Sequence, residues 1–367
     1  VRVLQIANFV SPASGGLKVA IDALKSGYEA EGWTVGQITP FSSPADWGGE
    51  APISSCPLPL SGSYRVFLRR KAVKQAIQTF RPDVVELSDK STLAWVSKWC
   101  RKRKIPCCVI SHERMDFAIR RTGIARIVLT RINQKWSTMI ANFSTVVVCA
   151  SLFAAEEFSG TNAKVRIIPL GVRQMNLQKP QNYLDASQEV QVVMCCRLSE
   201  EKQPKLCIDA VRDMSSHYDV SLTIIGDGPM RPELEKLAQG LNVRFLGHLS
   251  NRAEVMRLLS EADVALSLGI AETFGLATVE ALSMGTPVVV ASTGASREIV
   301  NSLCGRIVES QPDAVAAAIV ELIGEERELQ RERCVEQAQR FGIERTVGNF
   351  VDLYIEMTHG RAEFAIA

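Results

Sequence analysis

Twice along this chain, short apolar runs of strand length alternate with segments of helical periodicity. This alternation limits the fold more than any other feature. In the first half the spacing predicts strands over 3–7, 35–38, 84–87, 107–111, 145–149 and 165–168. Helices are predicted between them over 17–30, 64–80, 92–101 and 125–141. The second half repeats the plan, with strands over 190–196, 221–225, 243–246, 264–268 and 288–291. Its helices fall over 204–214, 231–238, 252–261 and 275–284. Strands that are apolar throughout are buried on both faces, and a parallel neighbour is reached only through a crossover, usually a helix. Two such series predict two doubly wound α/β domains. A length of 367 residues accommodates both. The first domain is expected over 1–170 and the second over 186–342. The irregular, polar stretch 171–185 reads as the linker.

Local detail agrees with this plan. Asn251 and Glu254 are spaced as a capping pair, and Val255, Leu258, Leu259 and Ala262 make one apolar stripe behind them. No apolar run reaches the 18 or more residues of a membrane span. The first residues form a strand rather than a basic region and a hydrophobic core segment, so a secretory signal is not expected. The ten cysteines include the neighbours Cys107-Cys108 and Cys195-Cys196, and no Cys-x-x-Cys. Lying within strand-like runs, they read as reduced thiols packed as small hydrophobes, in a cytoplasmic protein.

Net charge is +2, but the halves differ. Residues 1–170 carry 23 Lys+Arg against 12 Asp+Glu, a net of +11; residues 171–367 carry 19 against 28, a net of −9. Basic residues gather at Arg65, Arg69, Arg70, Lys71 and Lys74, along 101–104, and at Arg120, Arg121, Arg126, Arg131 and Lys135. Such a half can be drawn to an anionic membrane surface, or its charges can simply be solvated. Nucleic acid is not expected, because no aromatic platform or reader motif accompanies the charge.

The densest chemistry lies at Glu272-Thr273-Phe274-Gly275-Leu276-Ala277-Thr278-Val279-Glu280. The apolar run before it ends as a strand, and the segment after it is a helix stopped at Gly285-Thr286-Pro287. Glu272 therefore falls at the carboxyl end of a strand, where open α/β sheets bind ligands. Thr273, Phe274 and Gly275 fall at a helix N-terminus, whose free amides suit an anionic or hydroxyl-rich ligand. Glu280, further into the helix, could accept from a cis-diol such as a ribose.

Glu-x7-Glu followed by Ala-Leu-Ser-Met-Gly-Thr-Pro-Val-Val resembles the retaining glycosyltransferases of family 4. That resemblance implies the GT-B fold: two doubly wound Rossmann-like α/β domains facing across a cleft. A terminal helix, here about 343–367, would cross back onto the first domain. By the same resemblance Glu272 and the amides of 273–276, Leu276 included, hold the donor sugar, and Glu280 holds the ribose. Arg197 and Lys202, five residues apart after the first strand of the second domain, match the pair that neutralises the diphosphate leaving group. The chain has no Asp-x-Asp, so no metal site is expected and protein cations take that charge. Gly15 and Gly16, before the first helix, match a loop facing the donor phosphate. His112, at a strand end, matches a histidine near the sugar's 6-hydroxyl. Leu249, after Gly247-His248, matches the segment whose backbone reads the base. Arg114 and Asp116 are candidates for the acceptor side.

The expected protein is thus a metal-independent, retaining hexosyltransferase, moving mannose from a nucleotide-diphosphate sugar to a glycolipid or small-molecule acceptor. Its layout resembles bacterial GDP-mannose-dependent mannosyltransferases of lipid-linked glycoconjugates, which places GDP-mannose first as donor and UDP-sugars next. No cofactor is required on this reading. The location is cytoplasmic, peripheral on the inner face of the cytoplasmic membrane. The alternatives are a UDP-sugar-dependent enzyme with a soluble acceptor, another GT-B enzyme such as a phosphorylase or epimerase, and a non-catalytic sugar-nucleotide-binding protein.

Overall fold

The computed structural model describes residues 1–10, 16–50, 52–57, 65–67, 69–115, 125–173 and 189–364, the side chains of 125–130 and 360–364 excepted. The chain divides into two compact units, Val1–Gly171 with Ile343–Ala367, and Val172–Gly342. The stretch read as a linker over 171–185 falls mostly outside the described residues.

The first unit is built on a six-stranded parallel sheet. Its strands are β1 (Arg2–Ile6), β2 (Thr34–Ile38), β5 (Val84–Leu87), β6 (Cys107–Ser111), β7 (Val146–Cys149) and β8 (Val165–Ile167), in the order β2-β1-β5-β6-β7-β8. Every residue of β5, β6 and β7 is buried, as expected of strands covered on both faces. The crossovers are helices α1 (Gly16–Ala30), α2 (Arg70–Phe80), α3 (Ala94–Lys102) and α4 (Ala125–Phe143). A short helix α5 (Leu152–Ala155) follows β7, its start capped by Ser151 Oγ accepting from Ala154 N at 3.0 Å.

One expectation is overturned here. The helix predicted over 64–80 begins only at Arg70, and its first part is strand β4 (Arg65–Phe67), paired antiparallel with β3 (Ser55–Pro57). Short apolar runs do not distinguish helix from strand by periodicity. Tertiary partners decide the matter: Phe67 N donates to Asn8 Oδ1 at 3.0 Å, and the Arg65 guanidinium donates to Ser55 O and Oγ at 2.7 and 2.9 Å. Arg65 is therefore tied to the paired strand β3 rather than standing on the basic face of α2.

The C-terminal helix, Ile343–Phe364, belongs to the first unit. It packs on α1, so closely at Gly27 that a Cβ there would lie 2.2 Å from Val347 Cγ2. Phe350 and Tyr354 are fully buried in this seam beside Leu24 and Tyr28. Each such side chain contributes about 1.5–3 kcal/mol of burial. Beneath it lies a charged residue in mid-sheet. Glu86 of β5 is wholly buried and accepts from Tyr354 Oη at 2.6 Å, Tyr28 Oη at 3.0 Å and Gln5 Nε2 at 3.0 Å. Burial raises its carboxyl above the usual range, against the lowering pull of those three donors.

A raised acid binds its proton more tightly folded than unfolded. Its stabilising contribution is thus full below the unfolded pKa and is lost as pH rises through the folded one. The melting temperature of Glu86→Gln relative to wild type is expected to climb as the pH rises from 4.5 toward neutrality. A gap that stays flat or shrinks over that range would contradict the assignment.

The second unit carries β9 (Val190–Cys195), β10 (Val220–Ile225), β11 (Val243–Gly247), β12 (Val264–Ser267), β13 (Val288–Ala291) and β14 (Gly305–Val308). Their order is β11-β10-β9-β12-β13-β14, all parallel. Counted within the unit this is 3-2-1-4-5-6, the doubly wound order with its switch point between β9 and β12. The helices are α6 (Pro204–Met214), α7 (Arg231–Leu237), α8 (Arg252–Glu261), α9 (Leu276–Ser283), α10 (Pro312–Ile323) and α11 (Arg327–Gln339). Asn251 caps α8 by accepting from Ala253 N at 3.1 Å. Val255, Leu259 and Ala262 of the expected stripe are buried and Leu258 is half-buried. All ten cysteines are free thiols, and burial pushes Cys149 and Cys196 up to about 12.

Candidate active site

In an open parallel sheet, neighbouring strands whose connections depart to opposite sides leave a crevice at their carboxyl ends. In the second unit those strands are β9 and β12, and the two loops leaving them carry Arg197, Lys202 and Glu272. The loop after β9 is held at its root: Cys196 N donates to Ile225 O at 3.0 Å, and Leu198 N to Asp227 O at 3.0 Å. Leu198 is fully buried between Arg197, which is exposed, and the 3-10 turn Glu200–Lys202. A buried anchor with charged residues on either side turns those residues outward. The Arg197 guanidinium has no partner among the described residues. Lys202 forms an ion pair with Glu272, the two side chains being 23% and 25% exposed. Burial alone would lower the Lys202 ammonium, but the charge and hydrogen bond of Glu272 outweigh it and raise it. Ile270 N donates to Glu201 O at 3.0 Å, so the two loops are also joined through their backbones.

After Glu272 the chain turns into α9. Gly275 caps it with φ 105, and a Cβ there would lie 2.5 Å from Ser296 Oγ; both the dihedral and the space require glycine. Phe274 is buried against Phe341, ring centroids 5.8 Å apart. Thr278 Oγ1 donates to Ser267 Oγ at 2.9 Å, which fixes the helix start to the end of β12. The amides of Gly275, Leu276 and Ala277 have no acceptor among the described residues. Glu280, further along α9, is 7% exposed and forms an ion pair with Arg252, the first residue of α8. Sequence reasoning missed Arg252. It reads as an ordinary first-turn residue, and only the sheet order brings α8 beside α9. Leu249 is half-buried, two residues past Gly247, whose carbonyl accepts from Gly226 N at 2.8 Å. The Gly226-Asp227-Gly228 turn and the segment leading to Leu249 are thus tied together.

In the first unit His112 immediately follows β6. Burial, and then the charge of Lys90, push its imidazole down to about 4, so it is neutral near pH 7. Arg114 is turned inward: its Nη1 donates to Phe153 O at 2.6 Å and to Glu156 Oε2 at 2.7 Å, and its guanidinium lies over the Phe153 ring at 4.3 Å. Gly16 opens α1. Gly15 and Asp116 lie outside the described residues.

The chain matches the family described as Glycosyltransferase Family 4 over residues 14–174, and that described as Glycosyl transferases group 1 over 177–341. It is 36% identical, over 91% of its length and 90% of the relative's, to a GDP-mannose-dependent alpha-(1-6)-phosphatidylinositol dimannoside mannosyltransferase of Mycobacterium tuberculosis (strain ATCC 25177 / H37Ra). Among solved structures it resembles Anabaena HepE in complex with UDP, with TM-score 0.74 at 18% identity over 97% of this chain and 100% of that one. It also resembles sucrose-phosphate synthase of Thermosynechococcus elongatus, with TM-score 0.76 at 19% identity and full coverage of both chains. Two Rossmann-like sheets, this likeness in fold and identity with the mycobacterial relative along nearly all of both chains lead to one conclusion: the chain belongs to the GT-B glycosyltransferases of family 4, enzymes that use a nucleotide sugar.

Proposed function

We propose that the chain transfers mannose, with retention of configuration and without a metal, from GDP-mannose to a lipid-linked glycoconjugate. The observation that carries this is the convergence of Arg197, Lys202 and Glu272 at the carboxyl ends of β9 and β12. The mycobacterial relative, whose name specifies GDP-mannose and a phosphatidylinositol dimannoside, supports the choice of donor and acceptor. On this reading Arg197 and Lys202 neutralise the diphosphate as it departs. Glu272 and the first amides of α9 hold the sugar hydroxyls, and Glu280 holds the ribose. His112 and the 15–16 glycine pair serve from the first unit. Attack comes from the face the phosphate leaves, and a leaving-group oxygen takes the acceptor proton. Catalysis then rests on positioning and on preorganised charge.

No helix among the described residues is long and apolar enough to cross a membrane. Access to a lipid acceptor would come through the basic first unit, at the inner face of the cytoplasmic membrane. Arg69, Arg70 and Lys71 are exposed, and Arg70 and Lys74 lie 5.5 and 5.7 Å from the centre of the Trp95 ring. Cations beside an amphipathic indole suit an anionic interface.

One experiment tests the whole reading. The purified protein is given GDP-mannose with vesicles containing mannosylated phosphatidylinositol, in EDTA, and the product's anomeric configuration is read by NMR. An α-mannoside is expected, together with a thermal shift by GDP-mannose that UDP-glucose does not match. Transfer from UDP-glucose alone would sink the donor assignment. Failure to float with anionic vesicles at low salt would favour a small-molecule acceptor. Donor binding with neither transfer nor hydrolysis would leave a non-catalytic nucleotide-sugar protein.

A further inference from the structure

In the first unit β5, β6 and β7 end side by side, and a buried ion pair lies across their carboxyl edge. Its cation is Lys90, in the loop after β5. Its anion is Glu157, in the 3-10 turn Glu156–Phe158 that follows α5. The two side chains are 6% and 1% exposed. An ammonium has three hydrogens to donate, and Lys90 has three acceptors: Ser111 Oγ at 2.8 Å, the Glu113 carbonyl and the Glu157 carboxylate. Its own carbonyl accepts from Trp136 Nε1 at 2.9 Å, and its ammonium lies 5.4 Å from the centre of the Phe158 ring. Glu157 reaches further along the same turn, accepting from Met115 N at 3.4 Å.

The protein groups that this pair grips are on the turn carrying His112. Ser111 and Glu113 flank it directly. A buried ion pair is a poor device for stability alone, since well-packed apolar residues of similar volume often do as well or better. Here its bonds end on one turn at the ligand-binding edge of a doubly wound sheet. We propose that Lys90 is a positioning residue for the transfer reaction: with Glu157 as its counter-charge, it fixes the 111–115 turn and so sets where His112 is held.

This inference rests on the proposed role of His112 at the sugar. It also gives His112 its chemical form. Among the described residues, the charged groups on the elements that meet at this turn are Lys90 from the β5 loop, Glu113 and Arg114 on its own segment, and Glu156 and Glu157 beyond α5. Cys149, ending β7, is a neutral thiol pushed up to about 12. Burial and the Lys90 charge keep His112 neutral. The imidazole can then exchange hydrogen bonds with a sugar hydroxyl without adding a positive charge beside the reacting carbon.

The test removes both charges at once, so that neither partner is left buried and unpaired. Lys90→Gln with Glu157→Gln keeps polar partners; Lys90→Met with Glu157→Met serves as a second, apolar variant if the first does not fold. The four histidines, His112, His217, His248 and His359, are followed by NMR through a pH titration, His112 being identified with a His112→Asn variant. The His112 midpoint is expected to rise once the Lys90 charge is gone, while burial keeps it below its ordinary 6.5. The kcat of the double variant should fall on acidification through that new midpoint. Wild type stays flat there, and KM for the donor is unchanged in both. A folded double variant whose midpoint and pH profile overlay wild type overturns the proposal. If the midpoint moves but His112→Asn turns over normally, the role of His112 fails instead.

Discussion

Arg197→Ala and Lys202→Ala are each expected to lower kcat by roughly 10²–10³-fold, the scale of losing one preorganised donor to developing charge. The two substitutions reach that loss differently. Arg197 is exposed and has no side-chain partner among the described residues, so its removal takes away only a contact to the ligand. Lys202 is paired with Glu272. Its removal also frees a partly buried carboxylate beside the place where the diphosphate would lie, which adds repulsion to the loss of attraction. Lys202→Ala should therefore be the slower variant. Steady-state rates measured with and without EDTA decide the matter. Turnover within a few-fold of wild type in both variants, or wild-type turnover that EDTA abolishes, would remove the proposed role.

The two acids are expected to separate kinetically. Glu272→Ala should lower kcat with little change in affinity for the nucleoside diphosphate, because it would meet the sugar near the reacting carbon. Glu280→Ala should weaken donor binding by about 1.5–3 kcal/mol, the range for a hydrogen bond to a charged group. That is roughly 10- to 150-fold in Kd. The pairing of Glu280 makes this a sharp test. Glu280 is nearly buried, and the guanidinium that pairs with it is half exposed. Truncating Glu280 thus leaves no buried charge behind, and a loss of affinity reports on the ribose contact rather than on a damaged fold. Titration calorimetry with GDP is the measurement. Unchanged affinity in Glu280→Ala refutes the ribose assignment.

Much of the architecture was legible in the sequence because buried parallel strands leave a plain mark. The runs around Val84, Cys107, Val146, Val190 and Val288 are mostly apolar, and each expected strand lies within a residue or two of the observed element. Helix α8 was placed at both ends, because its cap and its apolar stripe mark the same register. The failure over 64–80 has an equally physical cause. Arg65, Val66 and Phe67 carry no periodicity long enough to choose a conformation. Asn8, 59 residues away, and Ser55, 10 residues away, make the choice for them.

The candidate site divides in the same way. Placement at a strand end and a helix start pointed to Glu272 and Glu280 in one dimension, and the resemblance to family 4 added roles for Arg197, Lys202 and His112. Who pairs with whom was decided only in three dimensions. Lys202 meets Glu272 because β9 and β12 are neighbours, and nothing in either loop specifies that order. Arg252 meets Glu280, and Lys90 meets Glu157, across 28 and 67 residues of chain. The sequence determines which segments must be buried, since the cost of exposing apolar surface is paid locally, residue by residue. The tertiary structure determines which charges share a low-dielectric space, because that depends on distances between segments whose order in the sheet no local pattern records.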